Sequence, residues 1–395
     1  MNLIAFLSGL LLICMALFRQ DFFVRHSTIF PLYFLVFPIG MTIIIWSFAK
    51  SSPKRFFLLF GLFVIAEAAL IGGSWYIAKY QTKGPFSENY VNWVRQQYAG
   101  SFKNTTNFNS TLSQYDSLLT YRFRPNITGR FKNPEFDIEI KTNSLGVRDD
   151  EASLLNPSII ILGDSHGMGW GVEQSERFSE IIERKLNTRV LNTAITSYGS
   201  HRETSLLDEV EMDSCKLLII QYCDNDLEEN KANLLKAQNP SIDKHGFDVA
   251  ERQNKVSSTY FPFKGIFATL RWLIGEAFKK TPPPAIAQAA AKPVAPSVRK
   301  LEHAEAFFPY LSRIRTRYKG LIVVFDLGVY NFPIVGEFQA YQSIKPMPEI
   351  YFVNVHPLLD RRYYFTIDDH INVRGHAKIG VALSELIQQK RWLKN

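Results

Sequence analysis

The chain has 395 residues, with 45 basic and 37 acidic side chains for a net charge of +8, and 46% of its residues are hydrophobic. That length carries one large or two ordinary domains with a full core, which excludes a small scaffold held together by disulfides or zinc. The basic excess comes with no run of Lys or Arg and no nucleic-acid motif, so it points to charges scattered beside a bilayer rather than to DNA or RNA. Among the three cysteines, Cys215 and Cys223 flank one apolar strand, which places them about 26 Å apart, beyond disulfide reach.

Three apolar segments come first, at about residues 3–18, 29–49 and 56–78. A spanning helix needs roughly 20 such residues, so the first is the shortest candidate. It lacks the basic leader and small-residue cleavage site of a signal peptide, and three retained transmembrane helices are predicted within residues 1–80. Lys50, Lys54 and Arg55 follow the second segment with no acid, whereas Arg19 and Arg25 after the first are offset by Asp21. Cytoplasmic loops keep the positive charge, which predicts a multi-pass inner (plasma) membrane protein whose chain after Tyr80 lies on the extracytoplasmic, periplasmic side. Glu67 in the third segment has two readings: it faces a protein interior or partner helix, or it sits protonated near a bend at Gly72 and Gly73.

Residues 81–156 are polar, aromatic and turn-rich, and within them PEFDIEIKT (134–142) alternates as a half-buried strand with Phe136, Ile138 and Ile140 inward. A small β-containing connector is expected here. It carries N-x-[ST] sequons at Asn104, Asn109 and Asn126.

From residue 157 to 395 short β-rich runs alternate with helical patterns. Strands are expected at Ser158 to Leu162, Arg189 to Ala194, Lys216 to Gln221, Gly320 to Phe325 and Ile350 to Val355. Helices are expected at Ser175 to Leu186, Arg202 to Met212 and Arg374 to Lys390. This is the α/β pattern of a parallel sheet with helices on both faces, which binds ligands beyond the carboxyl ends of its strands. An insertion at about 227–298 interrupts it. Its Phe263 to Lys280 stretch is an amphipathic helix that lies on the membrane, covers the site or packs against its own domain, the last being the plainest expectation. Thr281 to Ser297, rich in Pro and Ala, reads as a linker or exposed loop.

The chemistry gathers at the strand ends. Gly163-Asp164-Ser165 follows the first buried strand, which presents a serine hydroxyl at the sheet edge, and serine needs a base to become a nucleophile. IDDHINVRGH offers His370 behind two carboxylates, and an acid beside a histidine fixes its tautomer and stabilises the imidazolium. Asn225 in QYCDND, after the third strand, offers a side-chain amide for an oxyanion hole. Gly167, Gly169 and Gly171 do not spell G-x-G-x-x-G, since Val172 interrupts it, and no G-K-[ST] follows. These glycines are expected to let backbone approach a substrate. A flavodoxin-like phosphate loop at Ser165 would leave His370 and Asn225 without a role.

With GDS, then N-T-A-I-T-S-Y-G after the second strand, N-D after the third and D-x-H-x-N near the carboxyl end, residues 143–390 resemble the SGNH/GDSL hydrolase superfamily. YDSLLTYRFRPNITG and TNSLGVRDDE resemble, more loosely, the connector of membrane-anchored members associated with envelope polysaccharide. The resemblance implies a flavodoxin-like sheet, Ser165 as nucleophile and oxyanion donor, Asn225 as the second donor and His370 as base. The chain departs from the pattern in three places. Ser197 stands at the family's oxyanion glycine, with Gly199 two residues on; Cys223 stands where a glycine precedes Asn225; and Ile367 stands where the acid usually lies three residues before the histidine. Asp368, two before His370, is then the orienting acid, with Asp369 as the lesser candidate. Asp164 is expected to shape the turn, His166 to be a surface or supporting group, and Asn372 and His376 to cap or anchor the last helix.

The expected activity is that of a serine esterase or O-acyltransferase acting on O-acyl, chiefly O-acetyl, groups of envelope or exported polysaccharide, without metal or cofactor. A transferase would need a membrane acyltransferase partner. The alternative is a catalytically inactive SGNH-like binding or scaffold module in a polysaccharide modification or export complex.

Overall fold

A computed structural model of the chain describes residues 1–73, 75–76, 88–235, 242–278, 301–328 and 334–393. The predicted linker at 281–297 lies outside them. The chain divides into two compact units, Met1–Asn104 with Asp248–Val298, and Thr105–Phe247 with Arg299–Asn395.

In the first unit, helix Leu3–Phe18 is capped by Asn2, and helix Pro53–Ala68 opens with Ser52 as cap and Pro53 at its first position, where a missing N–H costs nothing. Two stretches, Phe30–Ala49 (20 residues) and Pro53–Gly73 (21 residues), are long and apolar enough to cross a membrane. Helix Leu3–Phe18 has 16 residues, about 24 Å at 1.5 Å per residue, against a hydrocarbon core of about 30 Å. Two such helices therefore replace the three predicted, because Arg19, Gln20 and Asp21 end the first apolar run early. The short helix lies antiparallel on Tyr33–Ala49. Asn2 N–H donates to the Ser47 carbonyl at 3.1 Å, and the backbones meet at Gly9 and Gly40, where a Cβ on Gly9 would lie 2.8 Å from the Gly40 oxygen.

The insertion corrects a second expectation, since its residues 248–278 group with this unit rather than with the sheet that they interrupt. Phe261, Phe263 and Phe267 share an apolar cluster with Ile13, Phe23, Tyr33 and Phe37. Glu67, 5% exposed, accepts from the backbone N–H of Gly265 (2.8 Å) and Ile266 (2.9 Å), and thereby caps helix Lys264–Phe278. Of the two readings of Glu67 the partnered one holds, and the partner is a helix of its own chain.

In the second unit two antiparallel hairpins come first, β1 (Ser113–Asp116) with β2 (Thr120–Phe123) and β3 (Thr128–Asn133) with β4 (Phe136–Lys141). Five parallel strands follow: β5 (Ile159–Leu162), β6 (Val190–Asn192), β7 (Leu217–Tyr222), β8 (Leu321–Asp326) and β9 (Ile350–Val353), in the order β6-β5-β7-β8-β9. Every residue of β5, β7 and β8 is buried, as strands covered on both faces require. Ile160, Leu162, Leu218, Ile220, Ile322 and Val324 meet Leu206, Phe307 and Phe338 on one face, together with Phe131, Phe136 and Ile138 of the second hairpin. On the other face Ile159, Ile161, Ile219 and Val323 meet Phe178, Ile182, Ile379 and Leu383. The first strand, β5, thus has the second and third strands as its two neighbours. At such a switch point the connections diverge and leave a crevice beyond the strand's carboxyl end, where Gly163 begins.

Candidate active site

Gly163 leaves β5 so close to β7 that a Cβ there would lie 2.7 Å from Gln221 Oε1. That oxygen accepts from the backbone N–H of Asp164 (3.2 Å) and Gly167 (2.8 Å) and ties the turn to β7. Asp164 shapes the bend by accepting the His166 N–H at 2.9 Å, which starts a single helical turn, Ser165–Met168. Ser165 is its first residue, and no acceptor among the described residues pairs with the Ser165 N–H.

The second half of the turn is held by a buried arginine. Arg148, from the GVRDD segment, donates to the carbonyls of Gly169 (2.8 Å) and Val172 (2.8 Å) and to that of Glu139 on β4 (2.8 Å). Burial pushes its pKa down to about 9. Gly169 and Gly171 have φ of 85° and 76°, the left-handed region that glycine alone enters at no cost. A Cβ on Gly171 would strike the rings of Phe136 and Phe365 at 2.7 Å, and one on Gly167 would meet Ala194 at 2.8 Å. The glycines therefore let the turn pack against protein, which corrects the expectation that they clear room for substrate.

Around Ser165 the expected groups converge. Its Oγ lies 2.7 Å from His370 Nε2, and His370 Nδ1 lies 2.5 Å from Asp368 Oδ1. With the Nδ1 proton directed to Asp368, Nε2 is the acceptor for the serine hydroxyl. Asp368 is buried, whereas Asp369 stands 3.3 Å from Nδ1 with its side chain 42% exposed. The donor atoms of Asp368, Asp369 and His370 are close enough to share a cation, but both Asp368 oxygens are engaged by His370 and Trp170. Of the two places expected for His166, the surface or a supporting position, it takes the second. It is 2% exposed, its ring is 4.7 Å from that of His370, and burial pushes its pKa down to about 4, so it is neutral beside the base.

Ser197 adopts φ of 58°, a left-handed backbone at the place where the resemblance puts glycine, whereas Gly199 is extended and opens helix Ser200–Leu207. The carbonyl preceding Ser197, that of Thr196, accepts Tyr121 Oη at 2.7 Å, so the first hairpin braces that turn. Asn225 follows β7 with its side chain exposed. Asn372 caps helix Val373–Lys390 by accepting from Arg374 and Gly375, and His376 Nδ1 accepts the Phe178 N–H at 3.3 Å.

Behind Asp164 two further carboxyls, Glu203 and Asp226, are 3% and 2% exposed, and burial raises both well above the usual carboxylate range. A raised folded pKa contributes stability that is complete below the unfolded pKa of about 4.3 and is lost as pH rises toward the folded value. Glu203→Gln is expected to melt higher than the parent at pH 8, by about 2–4 °C for each kcal/mol recovered, and to match it at pH 5. Thermal melts across that range check it, and a parent whose stability does not fall with pH would count against the shift.

Four supporting residues were not among the candidates that the sequence offered. Arg148 and Gln221 act on backbone groups. Trp170 donates from Nε1 to Asp368 Oδ2 at 3.0 Å and stacks on His370 with centroids 5.0 Å apart. Glu135 accepts from the loop that carries Asp368. The aromatic amid glycines in GMGWG was the one visible hint.

No family model and no curated protein matches the chain. Among solved structures it is similar to a protein of Desulfitobacterium hafniense DCB-2 assigned to the G-D-S-L family of lipolytic proteins, at 12% identity and a TM-score of 0.33, covering 58% of this chain and 99% of that one. It is also similar to the acetyl xylan esterase Est2A of the rumen bacterium Butyrivibrio proteoclasticus, at 13% identity and a TM-score of 0.35, covering 60% of this chain and 64% of that one. Neither likeness is close enough to carry an activity across, so the roles of Ser165, His370 and Asp368 rest on the geometry of this chain.

Proposed function

We propose that the chain is an SGNH-type serine esterase or O-acyltransferase. The observation that carries this reading is the Ser165–His370–Asp368 relay, 2.7 and 2.5 Å per step, at the carboxyl end of β5. Ser165 Oγ attacks the acyl carbonyl as His370 Nε2 takes its proton, and Asp368 stabilises the imidazolium. The tetrahedral oxyanion is held by the N–H groups of Ser165 and Ser197 and by the Asn225 amide. His370 then protonates the leaving alkoxide, and the acyl-enzyme passes to water or to a sugar hydroxyl. Buried, neutral His166 avoids a second positive charge beside that imidazolium.

Lys50 lies between the two spanning-length stretches and Lys54 and Arg55 in the first turn of the second, and a cytoplasmic position for them leaves the chain on either side of that pair outside. The substrate class that fits is an O-acylated, chiefly O-acetylated, envelope or exported polysaccharide, and a transferase would draw its acyl group through a membrane partner.

A fluorophosphonate probe tests the serine chemistry: the purified chain should label, and Ser165→Ala should not. Absence of labelling would favour the inactive scaffold. Acyl transfer to added oligosaccharide that never exceeds hydrolysis would count against a transferase. An alkaline phosphatase fusion after residue 104 should be active, and an inactive fusion would reverse the topology. Trp170→Phe keeps a ring on His370 but removes the donor to Asp368 Oδ2, with an expected fall in kcat of about 10-fold at nearly constant KM. Steady-state hydrolysis of 4-nitrophenyl acetate reads it.

A further inference from the structure

The acid beside His370 stands at an unusual spacing, and its position needs a cause. In a loop free to choose, the side chain of residue 367 would be as able to approach Nδ1 as that of residue 368. Here Ile367 is 3% exposed and buried in the interior, and Asp368 takes the place at the ring. The backbone shows why. Three successive amides turn the same way, and all three donate to one carboxylate: Thr366 N–H to Glu135 Oε1 at 2.7 Å, and Ile367 and Asp368 N–H to Glu135 Oε2 at 2.8 and 2.7 Å. Consecutive N–H groups that converge in this way form a concavity suited to an anion, and the chain fills it with its own side chain.

The side chain is delivered from far away in sequence. Asn133 pairs with Phe136, so Pro134 and Glu135 form the two-residue turn between β3 and β4, with proline fixing the entry dihedral. The same hairpin sends Phe131 and Phe136 against Trp170, with centroids 4.8 and 6.0 Å away. One rigid ribbon therefore touches both supports of Asp368, its backbone through Glu135 and its Oδ2 through Trp170. Burial pushes the Glu135 carboxyl up, with Asp368 adding to that, and the three amide bonds oppose the shift.

We infer that Glu135 is a positioning residue of the active site, a carboxylate supplied by the connector hairpin that sets the 366–368 loop so that Asp368 faces His370. It touches no reacting atom. Its effect passes through the Asp368 backbone, and the connector is thereby a working part of the catalytic unit rather than a tether. This rests on the proposed roles of Ser165, His370 and Asp368.

The test uses the full chain in detergent with 4-nitrophenyl acetate and a fluorophosphonate. Glu135→Ala should lower kcat about 10- to 100-fold, leave KM within about 3-fold, and slow fluorophosphonate labelling by the same factor as kcat. Formate at high concentration should restore several-fold of the Glu135→Ala activity by occupying the vacated concavity, while leaving the parent and Asp368→Ala unchanged. Glu135→Gln, which keeps the shape but places an amide against three donors, should also fall in kcat while folding as the parent does by circular dichroism. If both variants turn over within 3-fold of the parent while Ser165→Ala is inactive, the positioning role fails and the serine reading stands. If Ser165→Ala keeps parental activity, the serine reading itself fails. A loss of kcat that tracks a loss of fold in both variants, with no formate rescue, also overturns the positioning role.

Discussion

Ser165→Ala, His370→Ala and the double variant are expected to lose nearly the same activity, each on the order of 10⁵- to 10⁶-fold in kcat. The reason lies in the 2.7 Å contact between Ser165 Oγ and His370 Nε2. A serine hydroxyl without its base is almost inert at neutral pH, and an imidazole without the hydroxyl has no proton to remove, so either loss disables the same step. What survives in all three variants is the contribution of the oxyanion donors and of binding, which together leave a residue of about 10³-fold over water. Turnover of 4-nitrophenyl acetate by the three purified variants measures this. Losses that multiply in the double variant would mean that Ser165 and His370 act in separate steps, and the relay would not be the catalytic device.

How much of this arrangement is legible in the sequence depends on whether a residue acts through its own type or through backbone. Ser165, His370 and the sheet edge were readable because buried β runs end at fixed chemistry, and a strand with both faces covered has a distinctive apolar pattern. Asp368 was readable as a candidate through its proximity in sequence to His370. By contrast Arg148, Gln221 and Glu135 hold the site through peptide carbonyls and amides 20 or more residues away, as Arg148 does at Gly169 and Val172, and a backbone group leaves no mark in sequence. The insertion was misplaced for a related reason. An amphipathic helix declares that one face is covered, not by what, and Phe263 and Phe267 found their cover among the N-terminal helices. The count of spanning helices failed on length alone, since Arg19, Gln20 and Asp21 close the first apolar run at a helix of 16 residues.

The choice between the two neighbouring acids yields the sharpest expected contrast. Asp368→Asn should lower kcat by about 10⁴-fold, whereas Asp369→Asn should stay within about 3-fold of the parent. Asp368 Oδ1 lies 2.5 Å from Nδ1 and its other oxygen is fixed by Trp170, while Asp369 stands at 3.3 Å and is partly in water, where its charge is screened. An asparagine at 368, turned so that its amide nitrogen faces Nδ1, would donate where it should accept. That forces the proton onto Nε2 and removes the acceptor that Ser165 needs. Single-turnover measurements separate this from weaker binding, since a wrong tautomer slows acylation and leaves KM little changed. Equal losses in the two variants would assign the role to the pair. Moving the acid to the commoner spacing, as Ile367→Asp with Asp368→Asn, should not restore activity, because Glu135 holds the 366–368 amides and residue 367 is directed into the interior. Recovery in that double variant would show that the loop chooses its acid freely, without the hairpin.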